Sequence, residues 1–133
     1  MLGWLFGNRA EREAKQLNRD APLILEHARN MFSESSMTVV ADLTREHIER
    51  AHVQYGTQTI DFRRALQDYK RLHKDARGRN DQRALSALTL VIIYLRSEIA
   101  GAAAAPARDT INAFTASCAS APDSDAETDA PSD

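Results

Sequence analysis

Leu85-Ser-Ala-Leu-Thr-Leu-Val-Ile-Ile-Tyr-Leu-Arg-Ser-Glu-Ile-Ala-Gly-Ala102 is the stretch whose reading decides the fold. Its centre, LTLVIIYL, is rich in β-branched and aromatic residues and, taken alone, resembles a buried strand. The wider spacing decides for helix. Leu85, Leu88, Ile92, Leu95, Ile99 and Ala102 recur at alternating steps of three and four, with good helix formers on either side, which is the signature of one apolar helical stripe.

Upstream, a second apolar series runs at seven-residue spacing through Ile48, Tyr55, Phe62, Tyr69 and Ala76, with Ala51, Ala65, Leu66 and Leu72 three or four residues off. Heptad spacing of this kind predicts a long helix packed lengthwise on a partner, in the manner of a coiled coil. Tyr55-Gly-Thr-Gln-Thr59 interrupts it with poor helix formers. A kinked helix is the preferred reading there, and two separate helices the alternative. Between the two stripes, Ala76-Arg-Gly-Arg-Asn-Asp81 carries a stop and a start: Gly78 suits a left-handed cap, and Asn80 or Asp81 an N-cap. Two striped helices joined by so short a connector must lie antiparallel.

The expected organisation is therefore all-α: an antiparallel helical hairpin or small helical bundle with a disordered acidic C-terminal tail. Residues 1–8 form an apolar tip. Residues 9–33 read as short helices broken at Asp20-Ala-Pro22, where Asp20 caps and proline opens a first turn. Residues 34–105 are the long hairpin, with Ser33-Glu-Ser-Ser36 as a cap cluster before it and the turn near 77–81. Pro106 ends the second helix of the hairpin, and 106–118 form one more short helix carrying Ile111, Phe114 and Cys118. From Ala119 onward no apolar residue exceeds alanine, too little to offset the entropy of ordering.

At 133 residues the chain has room for one cored domain. Its net charge of −2 conceals a split. Residues 109–133 hold six acidic and no basic side chains, so the remainder, with 17 basic against 13 acidic, carries +4. One cysteine, Cys118, allows no internal disulfide and no Cys-rich metal site. The run Leu2–Phe6 lacks a basic leader and is too short for a signal peptide, and Ala84–Leu95 is about half a membrane span. A cytoplasmic protein is expected.

Three constellations carry chemistry. Glu49 and His52, with Glu46 a turn earlier, have the Glu-x-x-His spacing of di-iron bundles. With Ile48 and Ala51 facing the core, however, Glu49 points outward and His52 lies at the flank. Iron binding would need ligands from several chains, and a solvated face pairing locally is the simpler reading. No cofactor is expected. Next, Arg63, Arg64, Lys70, Arg71, Lys74, Arg77, Arg79 and Arg83 place eight cations in 21 positions, a pattern able to neutralise nucleic-acid phosphates. Asp61, Asp68, Asp75 and Asp81 alternate with them, as on an ordinary exposed helix. No nucleophile elbow, P-loop or glycine-rich cradle is present, so no enzyme is expected.

The third is the tip, Leu2, Trp4, Leu5 and Phe6. Burying these side chains gains about 6–12 kcal/mol, and ordering the segment costs about as much at roughly 1–2 kcal/mol per residue. It orders only against a ready surface: its own bundle, a partner protein, or lipid headgroups. Arg9, Arg12, Lys15 and Arg19 behind it favour peripheral membrane contact through residues 1–7, and Glu11, Glu13 and Asp20 oppose it. The sequence points to a non-enzymatic adaptor, assembly factor or structural subunit. It would bind protein partners, and most readily itself as a homo-oligomer, through the tip and through Leu85, Leu88, Ile92, Leu95 and Ile99. Polyanion binding, a membrane-surface role and an iron assembly are the alternatives.

Overall fold

The computed structural model describes the backbone of residues 2–118 and the side chains of residues 9–117. It comprises α1 (Leu2–Met31), α2 (Glu34–Tyr55), α3 (Thr59–Gly78), α4 (Gln82–Ala100) and α5 (Ala105–Cys118), with a single 3-10 turn at Ala102–Ala104. Among the described residues there is no strand. The fold is all-α, as its apolar spacing predicts. The expected disordered tail, the side chains of the tip and that of Cys118 lie outside the described residues.

The stretch Leu85–Ala102 becomes the axis of the bundle. Ala87, Leu88, Leu90, Val91, Ile93, Tyr94, Leu95 and Ser97 are all buried and cover about 220° of the helix at 100° per residue, leaving the flank of Thr89, Ile92, Arg96 and Ile99 less covered. A helix buried over so wide an arc belongs in the middle, and each of the other four packs on α4. Successive helices alternate in direction. Beside α4, Glu13 of α1 lies with Arg96 and Ile99, and Ile24 with Thr89 and Ile92. His73 of α3 meets Thr89 at 3.1 Å. Asn18 of α1 reaches Ala103 and Ala107 at the start of α5, and Arg29 stacks over Phe114 further along.

The turn between α3 and α4 falls where the stop and start signals place it, with one exchange of roles. Gly78 is the last helical residue, and Asn80 takes the left-handed conformation at φ 55°. Asp81 N–H donates to Ala76 C=O and Asn80 N–H to Arg77 C=O, which is the Schellman arrangement. Asp81 then caps α4, its carboxylate accepting from Ala84 N–H at 3.2 Å.

The long first helix of the expected hairpin is two helices. Gly56, at φ 111°, ends α2, and its N–H donates to His52 C=O at 3.0 Å. Asp61 then accepts from Gln58 N–H at 3.1 Å to open α3. The heptad series survives the break: Ile48, Phe62, Tyr69 and Ala76 are buried and Tyr55 half-buried, because both helices pack on α4. Leu72 is the exception, exposed on the outer flank.

Two proline readings are corrected. Pro22 does not start a helix; it lies inside α1, which runs unbroken from Leu2 to Met31. Ala14, Leu17, Ala21, Leu25 and Ala28 form one buried stripe through it, so tertiary packing outweighs the roughly 3 kcal/mol local penalty. Asp20, the expected cap, accepts from Gln16 one turn earlier at 2.8 Å. Nor does Pro106 end α4: Gly101 does, at φ 88°, and Pro106 occupies the first turn of α5. Arg108 seals that corner by donating to the carbonyls of Ser97 and Gly101.

Candidate functional site

No Cα of α1 comes within 8 Å of a Cα of α3 among the described residues. The two helices stand as separate walls on α4, and a groove runs between them. Two adjoining hollows of about 520 and 380 Å³ line up along it, sharing Lys70 and Arg96. Thr89, Ile92, Ile93, Arg96 and Ile99 of α4 form the floor. Arg63, Leu66, Gln67, Lys70 and His73 form the α3 wall, and Glu13, Asp20 and Ile24 the α1 wall. From Thr89 to Ile99 the floor is about 15 Å long at 1.5 Å per residue.

The walls differ in charge because α3 sorts its charged residues by period. Arg63, Lys70, Lys74 and Arg77 fall on one flank of the helix at steps of seven, four and three. Asp61, Asp68 and Asp75 fall on the opposite flank at steps of seven. Arg64 and Arg71 share the acidic flank and pair there with Asp61 and Asp68. The expected eight-residue basic run is thus not one surface. Arg63, Lys70, Lys74 and Arg77, all exposed, have no ion-pair partner among the described residues. Arg79 lies in the turn and Arg83 in the first turn of α4, both exposed.

The interior stripe divides likewise. Leu88 and Leu95 are buried by the chain's own helices, at 5% and 0% exposure, so neither is available to a partner. Leu85, Ile92 and Ile99 are partly buried against the core, and Ile92 and Ile99 face the groove. The tip residues Leu2–Phe6 are helical and form the beginning of α1. Arg9 through Glu13 are all exposed and Ala14 is the first buried residue described.

The Glu-x-x-His pair does not assemble a site. Glu46 and Glu49 are exposed, and among the described residues no three His, Cys, Asp or Glu side chains are placed to hold a metal ion. His52 is less peripheral than its heptad position suggests. Its ring sits edge-on to Phe62, with centroids 6.0 Å apart, and tilted on Tyr94 at the same distance. Its Nε2 is buried without a hydrogen-bond partner. An apolar setting of two aromatic rings, not a carboxylate cluster, is what this histidine meets.

Hydrogen bonds between helices hold the α3 wall in place. Thr89 Oγ1 donates to Leu85 C=O at 2.8 Å, so its contact with His73 Nε2 requires the imidazole to donate. Tyr69 OH donates to His47 C=O at 3.2 Å and lies at the same distance from His47 Nδ1. Tyr55 OH donates to Asp68, which also receives Arg71. Those contacts, the Tyr55 bond foremost, hold the Asp68 carboxyl below its usual range. Burial lowers the pKa of His47, aided by Arg50, and that of His73, aided by Arg77. Burial and the hydrogen bond to Glu98 push Tyr94 up to about 12.

The histidines set a pH response. Each binds protons less readily folded than unfolded, so the unfolded chain takes up more protons as pH falls through the ordinary value of 6.5. Stability is complete above that value and declines below it, toward the depressed folded pKa. Tm is expected to fall between pH 7.5 and pH 5, and the double variant His47→Asn/His73→Gln to flatten that fall. An unchanged slope in the variant would remove these two residues as its source.

Comparison of the chain with protein-family models, curated proteins and solved structures finds no match in any of the three. No described helix is long and apolar enough to cross a membrane.

Proposed function

We propose that this protein is a non-enzymatic helical interaction module, an adaptor or assembly subunit, that receives a partner in the groove between α1 and α3. The observation that carries the reading is the separation of those two helices over α4, which leaves Ile92, Ile99, Leu66 and Ile24 half-covered along one continuous trough. Such a trough, with isoleucines along the floor beside Arg96 and Thr89 and polar residues along the rims, is how helical domains take up a helix. A single cysteine accords with a cytoplasmic setting, and a second copy of the chain is among the partners the reading admits.

Ile92→Glu tests it. Ile92 is partly exposed at the groove in the free protein, so the carboxylate can reach water until a partner covers it, when its burial costs about 3–5 kcal/mol. Proteins recovered by affinity purification with the wild type should fall at least about tenfold with the variant, with the helical circular-dichroism signal unchanged. Equal recovery would overturn the groove as the docking surface. Stoichiometric metal lost on His52→Ala would overturn the module reading itself.

A further inference from the structure

We infer that the partner the groove fits is an acidic amphipathic helix, seated with its carboxylates against α3. The inference rests on the proposed docking role of the groove and adds the chemistry of what docks. On the α3 side stand Arg63 and Lys70, with Lys74 and Arg77 continuing the same flank, and Arg96 rises from the floor. None of these five has an ion-pair partner among the described residues. On the α1 side stand Glu13 and Asp20, and Asp20 already accepts from Gln16. Three cations, Arg63, Lys70 and Arg96, and two carboxylates line a trough floored by Ile92, Ile93 and Ile99, and Lys74 and Arg77 extend the cationic flank of α3 beyond it.

That combination separates a helix from a phosphate backbone. Nucleic acid would gain the α3 cations, but it would set its phosphates toward Glu13 and Asp20 and leave the isoleucine floor uncovered. An apolar stripe on a helix covers the floor, and carboxylates on its flank meet Arg63, Lys70 and Arg96. The α1 acids add polarity. A partner with a cation on its other flank has one preferred direction in the groove, because turning the helix end for end exchanges its flanks. The floor accommodates about three turns.

The probe is a synthetic helical peptide about 18 residues long with leucines at three-four spacing and glutamates on both flanks, titrated against the full chain. A second peptide carries lysines in place of the glutamates, and a single-stranded RNA of similar length is the third ligand. The glutamate peptide is expected to bind at least about tenfold tighter than the lysine peptide at low salt, with the gap narrowing as salt screens it. Arg63→Glu/Lys70→Glu should reverse the preference between the two peptides, a result that mere misfolding would not produce.

If both peptides bind equally and Ile92→Glu abolishes both, the groove is a docking surface and the inference about acidity fails alone. If neither peptide binds, the groove reading fails with it. If RNA binds as tightly as the glutamate peptide and loses affinity in the double variant, the α3 wall serves polyanions and the inference is overturned.

Discussion

Leu95→Ala is expected to lower the unfolding free energy by about 2–5 kcal/mol, a large part of the roughly 5–15 kcal/mol that a domain of this size possesses. Leu95 is completely buried on α4, at the centre of a helix that all the others contact. The cavity left by its truncation has walls on every side and little freedom to collapse. A fall in Tm of roughly 10–20 °C follows, measurable by thermal circular dichroism. Spacing alone makes Leu95 a candidate partner contact, and that view predicts a variant that folds normally and binds poorly. The two outcomes do not overlap. A normal melting curve would mean that α4 is less enclosed than described.

The second large effect belongs to Gly56. Its φ of 111° and ψ of −170° lie in a region essentially reserved for glycine, where a side chain costs about 1–3 kcal/mol. A Cβ there would also stand 2.4 Å from Asp61 Oδ2, the atom that accepts the Gln58 N–H. The carboxylate must move, and with it goes a helix-start hydrogen bond worth about 1 kcal/mol. Gly56→Ala is therefore expected to cost about 2–4 kcal/mol in urea unfolding. Gly101→Ala is the internal control. Gly101 has a φ of 88° but open space where its Cβ would be, so it loses the backbone part alone. Equal losses in the two variants would show that the Asp61 contact contributes nothing.

What the sequence reveals of this molecule depends on whether the information is local. The α3–α4 turn is legible because its determinants, Asn80 and Asp81, act within a few residues of themselves. The helical nature of Leu85–Ala100 is legible because spacing extends beyond the β-prone core of the segment. Pro22 misleads because its local preference is real and is overridden by a stripe from Ala14 to Ala28 that packs on distant helices. Leu88 and Leu95 mislead for a related reason: an apolar stripe reads the same whether a partner chain or the chain's own α1, α2, α3 and α5 cover it. The groove itself is absent from any pattern. It exists because α1 and α3 stand apart, a fact about two helices whose facing residues, such as Glu13 and Arg63, lie 50 positions apart in sequence. One hint was available. Arg63, Lys70, Lys74 and Arg77 share a helical flank from which Asp61, Asp68 and Asp75 are excluded, and only projection onto a helix makes that segregation visible.

The central place of α4 also bears on how the chain comes into being. The first three helices approach one another less than they approach α4, so residues 2–78 emerging from a ribosome find only a small part of their packing, chiefly that between α2 and α3. Their apolar faces stay open until residue 100 or so has been made, at a pace of about 5–20 residues per second. Assembly then proceeds late and all at once around the newest helix, rather than layer by layer from the N-terminus. A ribosome stalled before α4 should present a protease-sensitive nascent chain, and one stalled beyond α5 a resistant one.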